Sequence, residues 1–387
     1  VDATCIANGR GYGRFARELI AAMAERSPAD EFVLFVDDRA AAAWTGTTAN
    51  TRLALVPQRV SPTVAAAADS SRSPGDMLRL TRAVWRAKLD VFFSPSVYTY
   101  FPLPPRLAAV VTLHDAIAER FPEMTLPSRR SRLFWDLKTR LALMQAKLVL
   151  TVSEFAASEI VAVHGLSRDR LRVATEAPSS IYKPSECVAD IQAVARKYGL
   201  RDGERWFVYV GGFNPHKHVD MIVRAHAAAV RGAEHPPRLL LVGTRDSDVF
   251  HGDSPRIVDA IRQCGTTELV HWTGFIPDGE LRHLLSGAIA LLLPSESEGF
   301  GLPAIEAAAC GTPVIATTAS PLPDLLKDGG YFVKPGDEQA TARAMIALMT
   351  DESDRVTRGN RAREGAGHLS WAAAADVALS ALREAAA

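Results

Sequence analysis

The 387-residue chain sets 44 Lys and Arg against 44 Asp and Glu and is 48% hydrophobic, so its formal net charge is zero. That balance leaves no basic footprint for nucleic acid, and Cys5, Cys187, Cys264 and Cys310 lack the spacing of a zinc site or a disulfide framework. No apolar run reaches the roughly 18 residues of a membrane span and no signal-like segment opens the chain, so a soluble, cytoplasmic protein is expected.

The length exceeds what one core organises, which predicts two domains of roughly 180 residues each. Charge divides unevenly between them: residues 1–185 carry 24 Lys and Arg against 18 Asp and Glu, and the remainder 20 against 26. A basic first half suits an anionic donor or a membrane-associated acceptor, or simply association with an acidic second half.

In chain order, the opening residues 1–6 read as the end of a strand whose first residues are expected to precede Val1. Asn8-Gly9-Arg10-Gly11-Tyr12-Gly13-Arg14-Phe15 follows as a glycine loop before a helix with an apolar face of Phe15, Leu19, Ile20 and Met23. Its glycines let backbone N–H groups approach a phosphate. With Asp37 or Asp38 after the next strand, Gly9, Gly11 and Gly13 also fit a dinucleotide fingerprint, so an NAD-dependent oxidoreductase is an alternative reading. Strands are predicted at 32–36, 91–93, 109–113 and 148–152, then at 207–210, 239–242, 269–272, 289–293 and 314–316. Between them lie helix-length amphipathic segments, the α/β pattern of parallel sheets with crossover helices. His114-Asp115 stands at the carboxyl end of a strand, where such sheets bind ligands, and Ser153-Glu154 reads as a helix start.

Residues 129–141, Arg129-Arg130-Ser131-Arg132-Leu133-Phe134-Trp135-Asp136-Leu137-Lys138-Thr139-Arg140-Leu141, form a basic amphipathic stretch. It is expected to be a helix packed by its apolar face with charges in solvent, a peripheral contact with the inner membrane face being the other reading. Turn chemistry over 176–185 places the linker there, giving domains 1–185 and 186–369, and an alanine-rich helical tail follows over about 370–387. In Gly211-Gly212-Phe213-Asn214-Pro215-His216-Lys217 a strand again runs through glycines into a helix start, which can bind a second phosphate edge. Asp246-Ser247-Asp248 has the spacing of an acidic metal pair but reads as a loop.

The densest motif is Pro294-Ser295-Glu296-Ser297-Glu298-Gly299-Phe300-Gly301-Leu302-Pro303-Ala304-Ile305-Glu306. The buried strand before it ends at Pro294, Gly299 and Gly301 permit a tight turn, and Pro303 suits a first helical turn whose N–H groups receive an anion. Glu298 and Glu306 are spaced to converge on one ligand, and carboxylates accept from the hydroxyls of a sugar or ribose.

This stretch resembles the Glu-x7-Glu signature of the retaining glycosyltransferases of family 4. Gly274-Phe275-Ile276-Pro277-Asp278 upstream and Ala309-Cys310-Gly311-Thr312-Pro313-Val314-Ile315-Ala316 downstream follow the same family's order. The resemblance is densest over 206–337. It implies the GT-B fold: two Rossmann-like domains with an interdomain cleft, and a tail that crosses back onto the first domain. It also implies transfer of a sugar from a nucleoside-diphosphate sugar, most naturally GDP-mannose or a UDP-sugar, to a hydroxyl of a glycan, lipid-linked saccharide or small molecule. The donor is then a co-substrate, and neither cofactor nor metal is needed. By the same resemblance Lys217 and the amides from Gly299 to Leu302, including Phe300 and Gly301, hold the diphosphate. Glu298 holds the transferred sugar, Glu306 the ribose, and the backbone at Phe275 and Ile276 the base. His114 and Asp115 lie beside the sugar, and Gly11 and Gly13 face the diphosphate. Gly212 and His216 occupy places where many relatives carry an Arg, a departure that supports a noncatalytic nucleotide-sugar-binding protein as a further alternative.

Overall fold

The computed structural model describes residues 1–9, 11–46, 48–62, 73–126, 128–244 and 252–387. The chain divides into two compact units, Val1–Glu176 with Ser370–Ala387, and Ala177–Leu369. Residues 177–185, which the turn chemistry assigns to the first domain, group with the second. There the Tyr182 hydroxyl donates to Asp278 at 2.7 Å and the Ser185 N–H to Ser286 Oγ at 3.0 Å.

In the first unit every pairing is parallel. β1 (Phe32–Val36) pairs β2 (Thr51–Leu55), while β3 (Phe92–Ser94), β4 (Ala109–Thr112), β5 (Leu148–Thr151) and β6 (Leu171–Val173) lie side by side in chain order. The opening residues join the two groups: Phe35 N–H donates to Val1 O at 2.9 Å, and Asp2 N–H to Phe93 O at 2.8 Å. β1, β3, β4 and β5 are buried throughout, as strands covered on both faces must be, which is why they read as continuous apolar runs. The helix Gly11–Arg26 buries Phe15, Leu19, Ile20 and Met23. Against it lies the helix Trp371–Ala386, whose buried Ala374, Ala375, Ala378 and Ala381 allow close approach. Trp371 meets Phe15 edge-on at 6.0 Å.

The second unit is one parallel sheet in the order β12-β11-β10-β7-β8-β9. Its strands are β7 (Trp206–Val210), β8 (Arg238–Val242), β9 (Val270–Gly274), β10 (Leu291–Leu293), β11 (Val314–Thr317) and β12 (Gly330–Val333). The chain winds outward from β7 in one direction and then from β10 in the other. β7 and β10 are neighbours, so the topological switch point, where doubly wound sheets open a crevice at their carboxyl ends, lies between them. β2, β6 and β12 have no counterpart among the predicted strands. Each is an outer strand of its sheet, and Thr51-Arg52-Leu53-Ala54-Leu55 and Leu171-Arg172-Val173 carry the mixed residues of a partly exposed edge.

Candidate active site

Two loops meet at the switch point. After β7, Gly211, Gly212 and Phe213 lead through Asn214 into a short turn, Pro215–Lys217, and His218 in the left-handed region opens the helix Val219–Ala229. After β10, residues 294–301 form the second loop. Glu296 N–H donates to His216 O at 2.8 Å, and His218 Nε2 lies 2.8 Å from Glu296 Oε2. This stitching brings Lys217 Nζ to 2.7 Å from Glu298 Oε1, which also accepts from Ser295 Oγ at 2.6 Å. The lysine and glutamate side chains are 18% and 9% exposed, so the pair is largely withdrawn from water. A carboxylate held by a hydroxyl and an ammonium is rigid, and the ammonium can be shared with an anion.

The second loop closes on Gly301, whose φ of 88° belongs to the left-handed region; a Cβ there would meet Leu322 at 2.8 Å. The helix Leu302–Ala309 starts immediately after it. Pro303 brings no N–H and the Ala304 N–H bonds Gly301 O at 2.9 Å, so the donors left at the helix start are those of Gly301 and Leu302. Phe300 and Leu302 are buried beneath them, and Glu306 is buried one turn along. Ile276 is buried while Phe275, after β9, is exposed. Gly212 precedes the Pro215–Lys217 turn, and its carbonyl accepts from the Tyr209 hydroxyl.

In the first unit the helix begins at Gly11, so Gly11 and Gly13 form its first turn instead of a loop before it. Gly13 is required by contact: a Cβ would fall 2.0 Å from Asn8 O. His114 follows β4 with both ring nitrogens engaged. Nε2 donates to Pro95 O at 3.1 Å, which leaves Nδ1 facing Glu176 Oε1 at 3.5 Å. The Phe15 ring packs edge-on against His114 at 4.7 Å. Asp115 Oδ1 accepts from Ile117 N–H at 2.9 Å and so shapes the loop. Ser153 caps its helix by accepting from Ala156 N–H at 2.9 Å, and exposed Glu154 pairs with Arg168.

The residues 190–365 match the family model of the glycosyl transferases group 1, and residues 9–175 that of glycosyltransferase family 4. The O-antigen chain mannosyltransferase B of Escherichia coli is 30% identical over 286 residues, which span 73% of this chain and 71% of that one. The chain belongs to glycosyltransferase family 4. The D-inositol 3-phosphate glycosyltransferase of Nocardia farcinica is 34% identical over 231 residues, 58% of this glycosyltransferase and 49% of its relative, so about half of such relatives' length is spanned. Among solved structures, sucrose-phosphate synthase from Thermosynechococcus elongatus superposes with a TM-score of 0.73 at 21% identity, covering 97% of this chain and 93% of that one. An Anabaena protein in complex with UDP-glucose gives 0.69 at 18% identity, covering 97% of both chains. These likenesses establish the GT-B fold.

Family membership replaces the oxidoreductase reading, and Asp37 is occupied in holding the backbone. Its Oδ1 accepts from Ala40 N–H at 2.8 Å, capping the helix Asp38–Ala43. His216 stands where many relatives carry an Arg, and it carries no such charge. Burial, with Lys217 and His218 beside it, drives its pKa well below the ordinary 6.5 and keeps the ring neutral, with Nδ1 shielded from solvent and unbonded among the described residues. The basic stretch also differs from expectation. In the helix Arg129–Gln145 the buried residues are Ser131, Thr139, Ala142 and Leu143, while Leu133, Phe134 and Leu137 face water. The inner side is held by Ala142 and Leu143 in the core and by the bonds of Trp135 to Glu119 and Lys138 to Tyr98, which turns Leu133, Phe134 and Leu137 outward. Glu176, His218, Glu296 and Ser295 escape the sequence reading. Only Ser295 and Glu296, inside the motif from Pro294 to Glu306, carried any local signal. Arg10, Asp246 and Asp248 lie outside the described residues, and no described helix is long and apolar enough to cross a membrane.

Proposed function

We propose that this glycosyltransferase moves a sugar from a nucleoside-diphosphate donor, GDP-mannose or a UDP-sugar, to an acceptor hydroxyl with retention at the anomeric carbon. The observation that carries the reading is the Lys217 to Glu298 contact at the switch point, beside the start of the helix Leu302–Ala309. In the free site the ammonium is balanced by a carboxylate. When a donor enters, its diphosphate takes over Lys217 and the amide donors of Gly301 and Leu302, and Glu298 is released to accept from hydroxyls of the transferred sugar. Glu306 holds the ribose hydroxyls.

The C1–O bond to the β-phosphate then breaks through an oxocarbenium-like state. The acceptor oxygen bonds C1 on the same face, and its proton passes to the departing phosphate oxygen. Lys217 supplies charge to the leaving group, so no divalent ion is needed for that step. The choice of donors is supported by the mannosyltransferase relative and by the UDP-glucose complex of a structural neighbour. Acceptors with a glycan, lipid-linked or small-molecule hydroxyl all fit this chemistry.

The test incubates the purified chain with GDP-mannose and UDP-sugars and a panel of acceptors, and reads product mass and anomeric configuration. An axial-to-axial outcome supports the proposal, and an inverted product overturns it. The neutral His216 favours a second reading, a protein that binds nucleotide sugars without turnover. Tight donor binding with neither transfer nor hydrolysis would select it.

A further inference from the structure

Two helices of the first unit pack on one core and leave large apolar side chains exposed. The helix Pro74–Arg86 seats Leu80 and Val84, and the helix Arg129–Gln145 seats Ala142 and Leu143, in the same hydrophobic cluster as β3, β4 and β5. Their outer sides are apolar: Leu133, Leu137 and Met144 are 67%, 62% and 82% exposed, Phe134 is 50% exposed, and Trp85 is 71% exposed. Positions 133, 137 and 144 recur at helical spacing and form a stripe, with Phe134 beside it. Apolar side chains gathered this way mark an interaction surface.

The rotation of the longer helix is fixed from within, so the stripe cannot roll inward. Trp135 Nε1 donates to Glu119 Oε1 at 2.7 Å, Lys138 Nζ donates to Tyr98 O at 3.2 Å, and the Tyr98 ring stacks on Tyr12 at 5.0 Å. Arginines lie on and beside the stripe, Arg140 between Leu137 and Met144 along it. Arg129, Arg130 and Arg140 on this helix, and Arg82 and Arg86 on the other, are exposed and form no ion pair among the described residues. The Arg130 guanidinium lies 5.4 Å from the centre of the Phe134 ring. The acids nearby are fewer: Asp136 within the helix, Asp90 after the shorter one, and Glu123, which already faces Arg132 at 4.0 Å.

We propose that the outer face of the helix Arg129–Gln145 docks on an anionic lipid bilayer, with Leu133, Phe134, Leu137 and Met144 entering the boundary of the acyl chains and the arginines meeting the headgroup phosphates. Charge complementarity selects the bilayer over a second copy of the chain: two such faces brought together would set unpaired arginines against one another, whereas an anionic surface pairs all of them. The inference concerns a surface distinct from the candidate active site and stands whatever sugar is transferred.

The full chain is floated with vesicles of pure phosphatidylcholine and with vesicles of equal parts phosphatidylcholine and phosphatidylglycerol. Binding to the anionic vesicles alone, weakening as salt rises, is expected. Because each basic residue at such a surface contributes roughly fivefold, the combined Arg129→Ala, Arg130→Ala variant should lower partitioning by at least about tenfold. Phe134→Ser with Leu137→Ser should also release the protein, with an unchanged thermal midpoint showing that the fold survives. Equal partitioning onto both vesicles, no partitioning, or binding indifferent to these substitutions would overturn the proposal. So would concentration-dependent dimerisation that the serine variant abolishes, since that would assign the face to a second copy.

Discussion

Replacing Glu298 by Gln tests the exchange at the switch point, because it removes the carboxylate charge while keeping its size. Lys217 Nζ and Glu298 Oε1 are 2.7 Å apart. At an effective dielectric of about 20, that separation gives a Coulombic attraction of about 6 kcal/mol. Holding both groups out of water cancels most of it, and a charge-assisted hydrogen bond retains about 1.5–3 kcal/mol. Losing it should lower the thermal midpoint of the free protein, because a largely buried ammonium is left facing an amide. Nucleoside-diphosphate affinity should hold or rise, since Lys217 no longer has to leave a carboxylate. Turnover should fall by roughly 10- to 150-fold, the same 1.5–3 kcal/mol now missing between the glutamate and the sugar hydroxyls in the transition state. Calorimetric titration with UDP and GDP, thermal shift with and without nucleotide, and steady-state kinetics read the three quantities. If Glu298→Gln loses nucleotide affinity as much as Lys217→Met does, or keeps full turnover, the exchange is wrong.

Glu306→Ala should weaken donor binding by about 10- to 150-fold, the loss of a charge-assisted contact of about 1.5–3 kcal/mol, as read by titration; unchanged affinity in a folded variant removes the ribose role. Gly301→Ala should cost about 1–2 kcal/mol and most of the activity, because φ is 88° and Leu322 is in the way, and a wild-type melting curve would contradict that. Transfer should persist in chelator, and full loss with rescue by manganese would show that charge at the leaving diphosphate comes from a metal. Burial lowers the His226 pKa from 6.5 to about 4, so below pH 6.5 the unfolded chain takes up a proton that the folded one refuses. Stability is therefore complete above that pH and falls as pH drops toward about 4, by an amount on the order of 3 kcal/mol at the limit. His226→Gln should flatten the midpoint-against-pH curve over that range, and an unaltered slope would move the effect to another group.

Much of the molecule was legible because its signals are local. Buried parallel strands are continuous apolar runs, and β1, β4, β5, β7 and β8 fall where those runs lie. The strand end, glycine turn and helix start from Pro294 to Glu306 are set by the residues' own conformational preferences, so the family and the candidate donor residues could be read from the chain. The edge strands β2, β6 and β12 were not legible, because an edge is covered on fewer sides and tolerates Thr, Arg and Gly in place of apolar residues.

Other features depend on residues that are distant in sequence. Lys217 and Glu298 are 81 positions apart, and they meet because β7 and β10 became neighbours when the winding of the sheet reversed. His114, after β4, and Glu176, after β6, are also far apart in sequence, and the fold of the first unit brings them within 3.5 Å. The outward turn of Leu133, Phe134 and Leu137 was likewise decided by tertiary structure. The periodicity of a helix determines which side chains share a face, but only the inner contacts of Trp135, Lys138 and Ala142 with the rest of the unit determine which face is covered.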